Sequence, residues 1–108
     1  MAAYVFGDVE ITDPAAYDEY RKQVPAVIAA FGGRYLVRGA PAEVLSGNWQ
    51  LKRTVVLEFP SVAAVKAFWD SAEYKPLRAI RERAAKSNLV LVEGVQLADA
   101  GHAAGSSR

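Results

Sequence analysis

The stretch Arg53-Thr54-Val55-Val56-Leu57-Glu58-Phe59-Pro60-Ser61 decides the fold. Its β-branched alternation predicts a strand over Arg53–Phe59. Val55, Leu57 and Phe59 share one face; Thr54, Val56 and Glu58 share the other. Pro60 ends the strand, and Ser61 can cap a short helix reaching Trp69. The opening segment, Ala3 to Ile11, alternates in the same way. Val5, Val9 and Ile11 lie with Gly7 on one side, and Tyr4, Phe6, Asp8 and Glu10 on the other. Thr12-Asp13-Pro14 then predicts a helix start, with Asp13 as cap and Pro14 in the first turn. Tyr17, Tyr20, Val24, Val27 or Ile28, and Phe31 recur at helical spacing. Pro25 lies inside that stripe and predicts a kink or break near Val24. Gly32-Gly33 closes the helix.

Further strands are predicted at Arg34–Arg38, at Glu43–Ser46 as a short piece, and at Asn88–Leu97. In the last of these Leu89, Leu91, Val95 and Leu97 share a face beside Glu93. A helix over Ala72–Ala85 follows Asp70-Ser71, with the stripe Tyr74, Leu77, Ile80 or Arg81, and Ala84. The order β-α-β-β-α-α-β predicts an α+β, ferredoxin-like domain with a four-stranded antiparallel sheet and helices on one face.

The chain has 108 residues, 13 basic and 12 acidic side chains, 52% hydrophobic residues and no cysteine. This length suits one domain, expected over residues 1–98, and the small polar run 99–108 reads as a disordered tail. The near-neutral charge argues against nucleic-acid and membrane-surface partners. The missing cysteines exclude disulfides, thiolate metal sites and a cysteine nucleophile. The absence of a long apolar run and of a signal-like start makes a cytoplasmic protein the expectation.

With Val5, Val9, Val55, Leu57 and Phe59 under the helices, the other face would show Tyr4, Phe6, Thr54 and Val56 beside Asp8 and Glu58. A patch that apolar predicts a homodimer in which two sheets meet face to face. The alternative is a monomer with a half-polar wet face.

Several ordered segments carry a family resemblance. They are Asp13-Pro14 with Tyr17 and Tyr20, Gly32 through Gly39, Glu43 through Gly47, Val55 through Ser61, Phe68 through Tyr74, Leu77-Arg78 with Arg81, and Val92-Glu93-Gly94. Over Tyr4 to Leu97 the chain resembles the bacterial proteins grouped as domain of unknown function 1330. The resemblance implies the dimeric α+β barrel superfamily, which includes cofactor-free monooxygenases, muconolactone-type isomerases and haem-dependent peroxidases. It implies no settled activity. Ser46 stands where that family commonly has an acidic residue, so any role of that carboxylate is altered here. A haem branch is disfavoured because the sole histidine, His102, lies in the tail. No cofactor and no metal are expected.

Five residues are candidates for a site. Glu58 ends an apolar strand, where a carboxylate is either a desolvated general base with raised pKa or the partner of an arginine such as Arg38 or Arg53. Arg38 could hold a carboxylate or an enolate, or form an ordinary ion pair. Trp69, Tyr74 and Arg78 could wall a cleft for a small aromatic or unsaturated acid. Alternatively Trp69 and Tyr74 serve the core, with Arg78 paired to Glu82. Asp8 and Glu10, about 6.6 Å apart along a strand, could bind a hard cation but suit an ion pair better. Tyr17 and Tyr20 read as core. Ser46 lacks a base, and Gly32-Gly33 follows a helix instead of opening one, which excludes a phosphate cradle. The expectation is an acid-binding pocket between sheet and helices, with cofactor-free acid/base chemistry as one reading and a non-catalytic module as the other.

Overall fold

The computed structural model describes residues 1–95. The expected tail and the end of the expected last strand at Leu97 lie outside them. The elements are β1 (Ala3–Ile11), α1 (Pro14–Ala30), β2 (Arg34–Ala40), β3 (Thr54–Phe59), α2 (Val62–Trp69), α3 (Tyr74–Ala84) and β4 (Ala85–Glu93). The sheet order is β2-β3-β1-β4, and every neighbouring pair is antiparallel. The helices cover one face, which gives the ferredoxin-like α+β arrangement. No helix among the described residues is long and apolar enough to cross a membrane.

Alternation sorts the strand residues as expected. Val5 and Val9 of β1 and Leu57 and Phe59 of β3 are buried, the first, third and fourth of them in one cluster with Val24 and Ile28 of α1 and Val65 and Phe68 of α2. Each such side chain contributes about 1.5–3 kcal/mol on burial. Asp13 accepts the Ala16 amide at 3.2 Å to start α1, and Ser61 accepts the Ala64 amide at 3.0 Å to start α2. Before α3, the Ser71 hydroxyl accepts the Tyr74 amide at 3.1 Å.

Several boundaries differ from expectation, and β2 runs on to Ala40, two residues past the expected end. Residues 43–46 form no strand; the segment from Pro41 to Lys52 has no regular structure and is mostly exposed. β3 is paired on both sides, by β2 and β1, so no place beside it remains for a strand at Val44 and Leu45. β4 begins at Ala85, three residues early, because it pairs with β1 along its whole length. Its polar start is matched across the sheet, with Lys86 opposite Glu10 and Asn88 opposite Asp8. It ends at Glu93, and Val95 lies beyond it. α3 begins at Tyr74, two residues later than expected.

Pro25 does not break α1, which runs unbroken from Pro14 to Ala30. A proline supplies no amide to the carbonyl four residues earlier, which here belongs to Arg21. The Arg38 guanidinium donates to that carbonyl at 3.2 Å. A side chain from β2 thus replaces the missing helical donor.

Restoring that donor should strengthen the helix. Pro25→Ala is expected to stabilise the protein by about 1 kcal/mol, raising the melting midpoint by roughly 4–8 °C in calorimetry. A lowered midpoint would show that the proline ring contributes more than its missing amide costs.

Candidate functional site

Between the sheet and the helices lies a cavity of about 60 Å³. Its apolar wall comes from Val5, Val24, Ile28, Leu57 and Phe68. Its polar wall comes from elements far apart in sequence. α1 supplies Tyr17, Tyr20 and Arg21, and β2 supplies Tyr35 and Arg38. Arg53 enters just ahead of β3, and α3 supplies Tyr74 and Arg81. Four arginines and four tyrosines therefore line one small space. No carboxylate and no histidine lines it among the described residues.

Burial holds three of the phenols, Tyr17, Tyr20 and Tyr35, protonated. Burial pushes the Tyr20 hydroxyl far above its usual range, with the neighbouring Tyr74 adding to the effect. Burial also raises Tyr17 and Tyr35, although nearby arginines act against it. These groups donate or accept hydrogen bonds at neutral pH; they do not act as bases. The Tyr20 and Tyr74 hydroxyls are 3.0 Å apart, and the Arg81 Nε donates to the Tyr74 oxygen at 3.4 Å. Arg81 also donates to the Ser87 hydroxyl.

Of the five candidates, the structure brings Arg38, Trp69 and Tyr74 to the cavity. Arg38 lies over the Tyr35 ring, 4.6 Å from its centroid. Tyr74 is fully buried and packs on Phe68 at 4.2 Å and Trp69 at 5.6 Å between ring centroids. Arg78 is not on the cavity wall. It sits over Trp69 at 4.8 Å and pairs with Glu82 at 3.5 Å.

Glu58 is on the opposite face of the sheet. It stands across from Tyr4 on β1 and Arg34 on β2, in the layer that excludes Leu57. Its carboxylate accepts from Arg34 Nε at 2.7 Å and from the Tyr4 hydroxyl at 3.2 Å. The Arg34 hydrogen bond holds its pKa below the ordinary value. This corrects the expected upward shift: the carboxylate is paired, and its partner is Arg34, neither Arg38 nor Arg53. Asp8 is also occupied, accepting the Lys52 and Arg53 amides at 2.7 and 3.3 Å.

The cavity arginines missed from sequence were Arg21, Arg53 and Arg81. Arg81 carried a signal, since it falls in the apolar stripe of α3, four residues after Leu77. An arginine in a core-facing stripe is costly to bury unless something uses its charge. The tyrosines, read as core, are indeed packed in, but their hydroxyls converge on the cavity.

The fold and this inward-facing cavity define a ferredoxin-like α+β protein of the small, single-sheet type. The family described as a domain of unknown function, DUF1330, matches residues 2–95, and the chain belongs to that family. It is similar to RPA0582, a protein of unknown function from Rhodopseudomonas palustris, with 20% identity and a TM-score of 0.71 over 88% of this chain and 83% of that one. A dimeric ferredoxin-like protein of unknown function from Jannaschia is similar at 13% identity and TM-score 0.60, covering 87% and 100%. SnoaB, a cofactor-independent oxygenase from Streptomyces nogalater, is similar at 11% identity and TM-score 0.58, covering 88% and 94%. These likenesses show the fold. No curated protein matches the chain.

The Glu58 pair makes a pH prediction. Its folded pKa lies below the ordinary 4.5, so its stabilisation is complete above that pH and is lost as pH falls through the folded value. Glu58→Gln should therefore be less stable than the wild type near neutrality, with the gap closing below about pH 4.5 in urea titrations. Equal pH dependence in the two proteins would refute the pairing.

Proposed function

We propose that the protein binds a small organic acid in the cavity between sheet and helices. The observation that supports this is the cavity wall itself: four arginines and four tyrosines around one apolar space, with no acid lining it among the described residues and, of the four arginines, only Arg21 paired with a carboxylate, that of Asp18. Such a wall suits an anionic head on a short apolar body. Arg38, Trp69 and Tyr74 are ligand contacts in this reading. Arg78 steadies Trp69 from outside.

Between catalysis and binding alone, the site favours binding. The fold is shared with a cofactor-independent oxygenase. Here, however, Glu58 lies across the sheet from the cavity, and the tyrosines that line it are poor proton acceptors. A proton-abstracting reaction would need a base that the cavity wall does not supply. The wall can stabilise negative charge on a bound carboxylate or enolate, which suits a carrier or sensor of the acid.

The reading includes a homodimer formed through the uncovered sheet face. That face exposes Leu36 (46%), Val90 (52%) and Val92 (53%) beside Phe6. Contiguous apolar surface of this kind marks an interface, and the similar protein from Jannaschia is described as dimeric.

Two outcomes follow. Isothermal titration of the full chain with a panel of small carboxylic acids should give saturable binding, and the melting midpoint should rise with ligand; a panel without any binder would refute the reading. Val92→Asp should convert a dimer into a folded monomer by light scattering, since a buried unpaired charge opposes association. A wild-type chain that is monomeric at micromolar concentration would refute the dimer.

A further inference from the structure

Four arginines surround the cavity, and they are not equivalent. Arg21 is bonded to Asp18 at 2.9 Å. Arg38 is exposed and is engaged with the Arg21 carbonyl and the Tyr35 ring. Arg53 sits at the end of the irregular segment, against Gly39. Arg81 alone is buried, at 5% exposure.

We infer that Arg81 anchors the carboxylate of the bound acid, with the Tyr20 hydroxyl as the second donor. This deepens the acid-binding reading and rests on it. The ligand class is a monocarboxylate with a short aliphatic body of a few carbons.

A buried guanidinium ordinarily has a carboxylate beside it. Arg81 forms no such pair among the described residues. Its hydrogen bonds go to two neutral groups, the Ser87 and Tyr74 hydroxyls. The Trp69 ring, 5.7 Å from its central carbon, offers a π face but no negative charge. A guanidinium has five N–H donors in a planar fork, so donors remain for a planar carboxylate. One buried positive charge matches one negative charge.

The hydroxyl chain supplies the second contact. Arginine can only donate, so the Tyr74 oxygen accepts from Arg81. Either hydroxyl of the Tyr20–Tyr74 pair, 3.0 Å apart, can be the donor; in the proposed complex Tyr74 gives its own proton to the Tyr20 oxygen. The Tyr20 proton is left to point at a ligand. Opposite these donors stand Val24, Ile28, Leu57 and Phe68, and the space of about 60 Å³ limits the body to a few carbons.

The test titrates the full chain with propionate and butyrate, and with propionamide and butyramide as uncharged counterparts. The acids should bind at least about tenfold more tightly than the amides, the difference a charge-assisted contact makes. Arg81→Met should lose at least about tenfold in acid affinity, Tyr20→Phe several-fold, and Arg83→Gln, exposed and off the cavity wall, nothing. If the methionine variant does not fold, Arg81→Lys serves in its place; it keeps the charge without the fork and should bind at least about fivefold more weakly. Wild-type affinity in whichever Arg81 variant folds would overturn the assignment. If the loss fell instead on Arg38→Gln or Arg53→Gln, acid binding would stand and Arg81 would not be its anchor. Failure of the wild type to bind either acid would overturn the assignment together with the reading beneath it.

Discussion

Side-chain alternation along β1 and β3 is the constraint on which the rest of the structure depends. Both strands are interior to the sheet, paired on each edge. Their registers cannot slip by one residue without turning every side chain over. Leu57 and Phe59 must therefore lie under the helices, and Glu58 must lie away from them. This one parity separates the acidic candidate from the aromatic and basic ones. It leaves the inner space to arginines and tyrosines alone, and it sets Glu58 beside Arg34 and Tyr4 on the other side.

The two faces solve different problems. The inner face is closed by an aromatic cluster in which Phe68 touches Phe31, Phe59 and Tyr74. That cluster fills most of the space under the helices, and the cavity is what remains where the arginines enter. The outer face is only partly sheltered by the segment before β3. Asp8 pins that segment by its amides, and Trp49 lies over Phe6 with ring centroids 6.4 Å apart. Leu45, on the same segment, is 93% exposed. The protein thus sets a few cations around an otherwise apolar inner space and leaves apolar side chains on its uncovered face.

Much of the fold was legible because its signals are local. Period-two runs at Ala3–Ile11 and Thr54–Phe59 assigned both faces, and Asp13, Ser61 and Gly32 marked helix ends. The misplacements came where partners in space decide. Lys86 and Asn88 look like loop residues until Glu10 and Asp8 are seen opposite them. Glu43 to Ser46 look like a strand until both sides of β3 are found filled by β2 and β1. The site was less legible. The sequence reading put Glu58 on the outer face by its own alternation, yet also grouped it with Trp69 and Tyr74, two assignments that one face cannot hold. The convergence of Arg21, Arg38, Arg53 and Arg81 depends on packing between α1, the sheet and α3, which no local pattern reports. Arg38 was named from its place at a strand end, and Arg81 carried a signal that went unused, as a cation in an apolar stripe.

Pro25 has a consequence that reaches beyond its own helix. Because its ring withholds an amide, a carbonyl of α1 is free to be claimed from across the molecule, and the guanidinium that claims it belongs to a strand on the sheet's edge. A peripheral strand is thereby laced to a helix through what would otherwise be a flaw. Drift at position 25 and drift at position 38 are consequently not independent: a substitution at either alters the worth of the other. Among descendants of this chain, loss of the imino acid would free the edge cation to evolve a new partner, while loss of the cation would turn the imino acid into a plain defect.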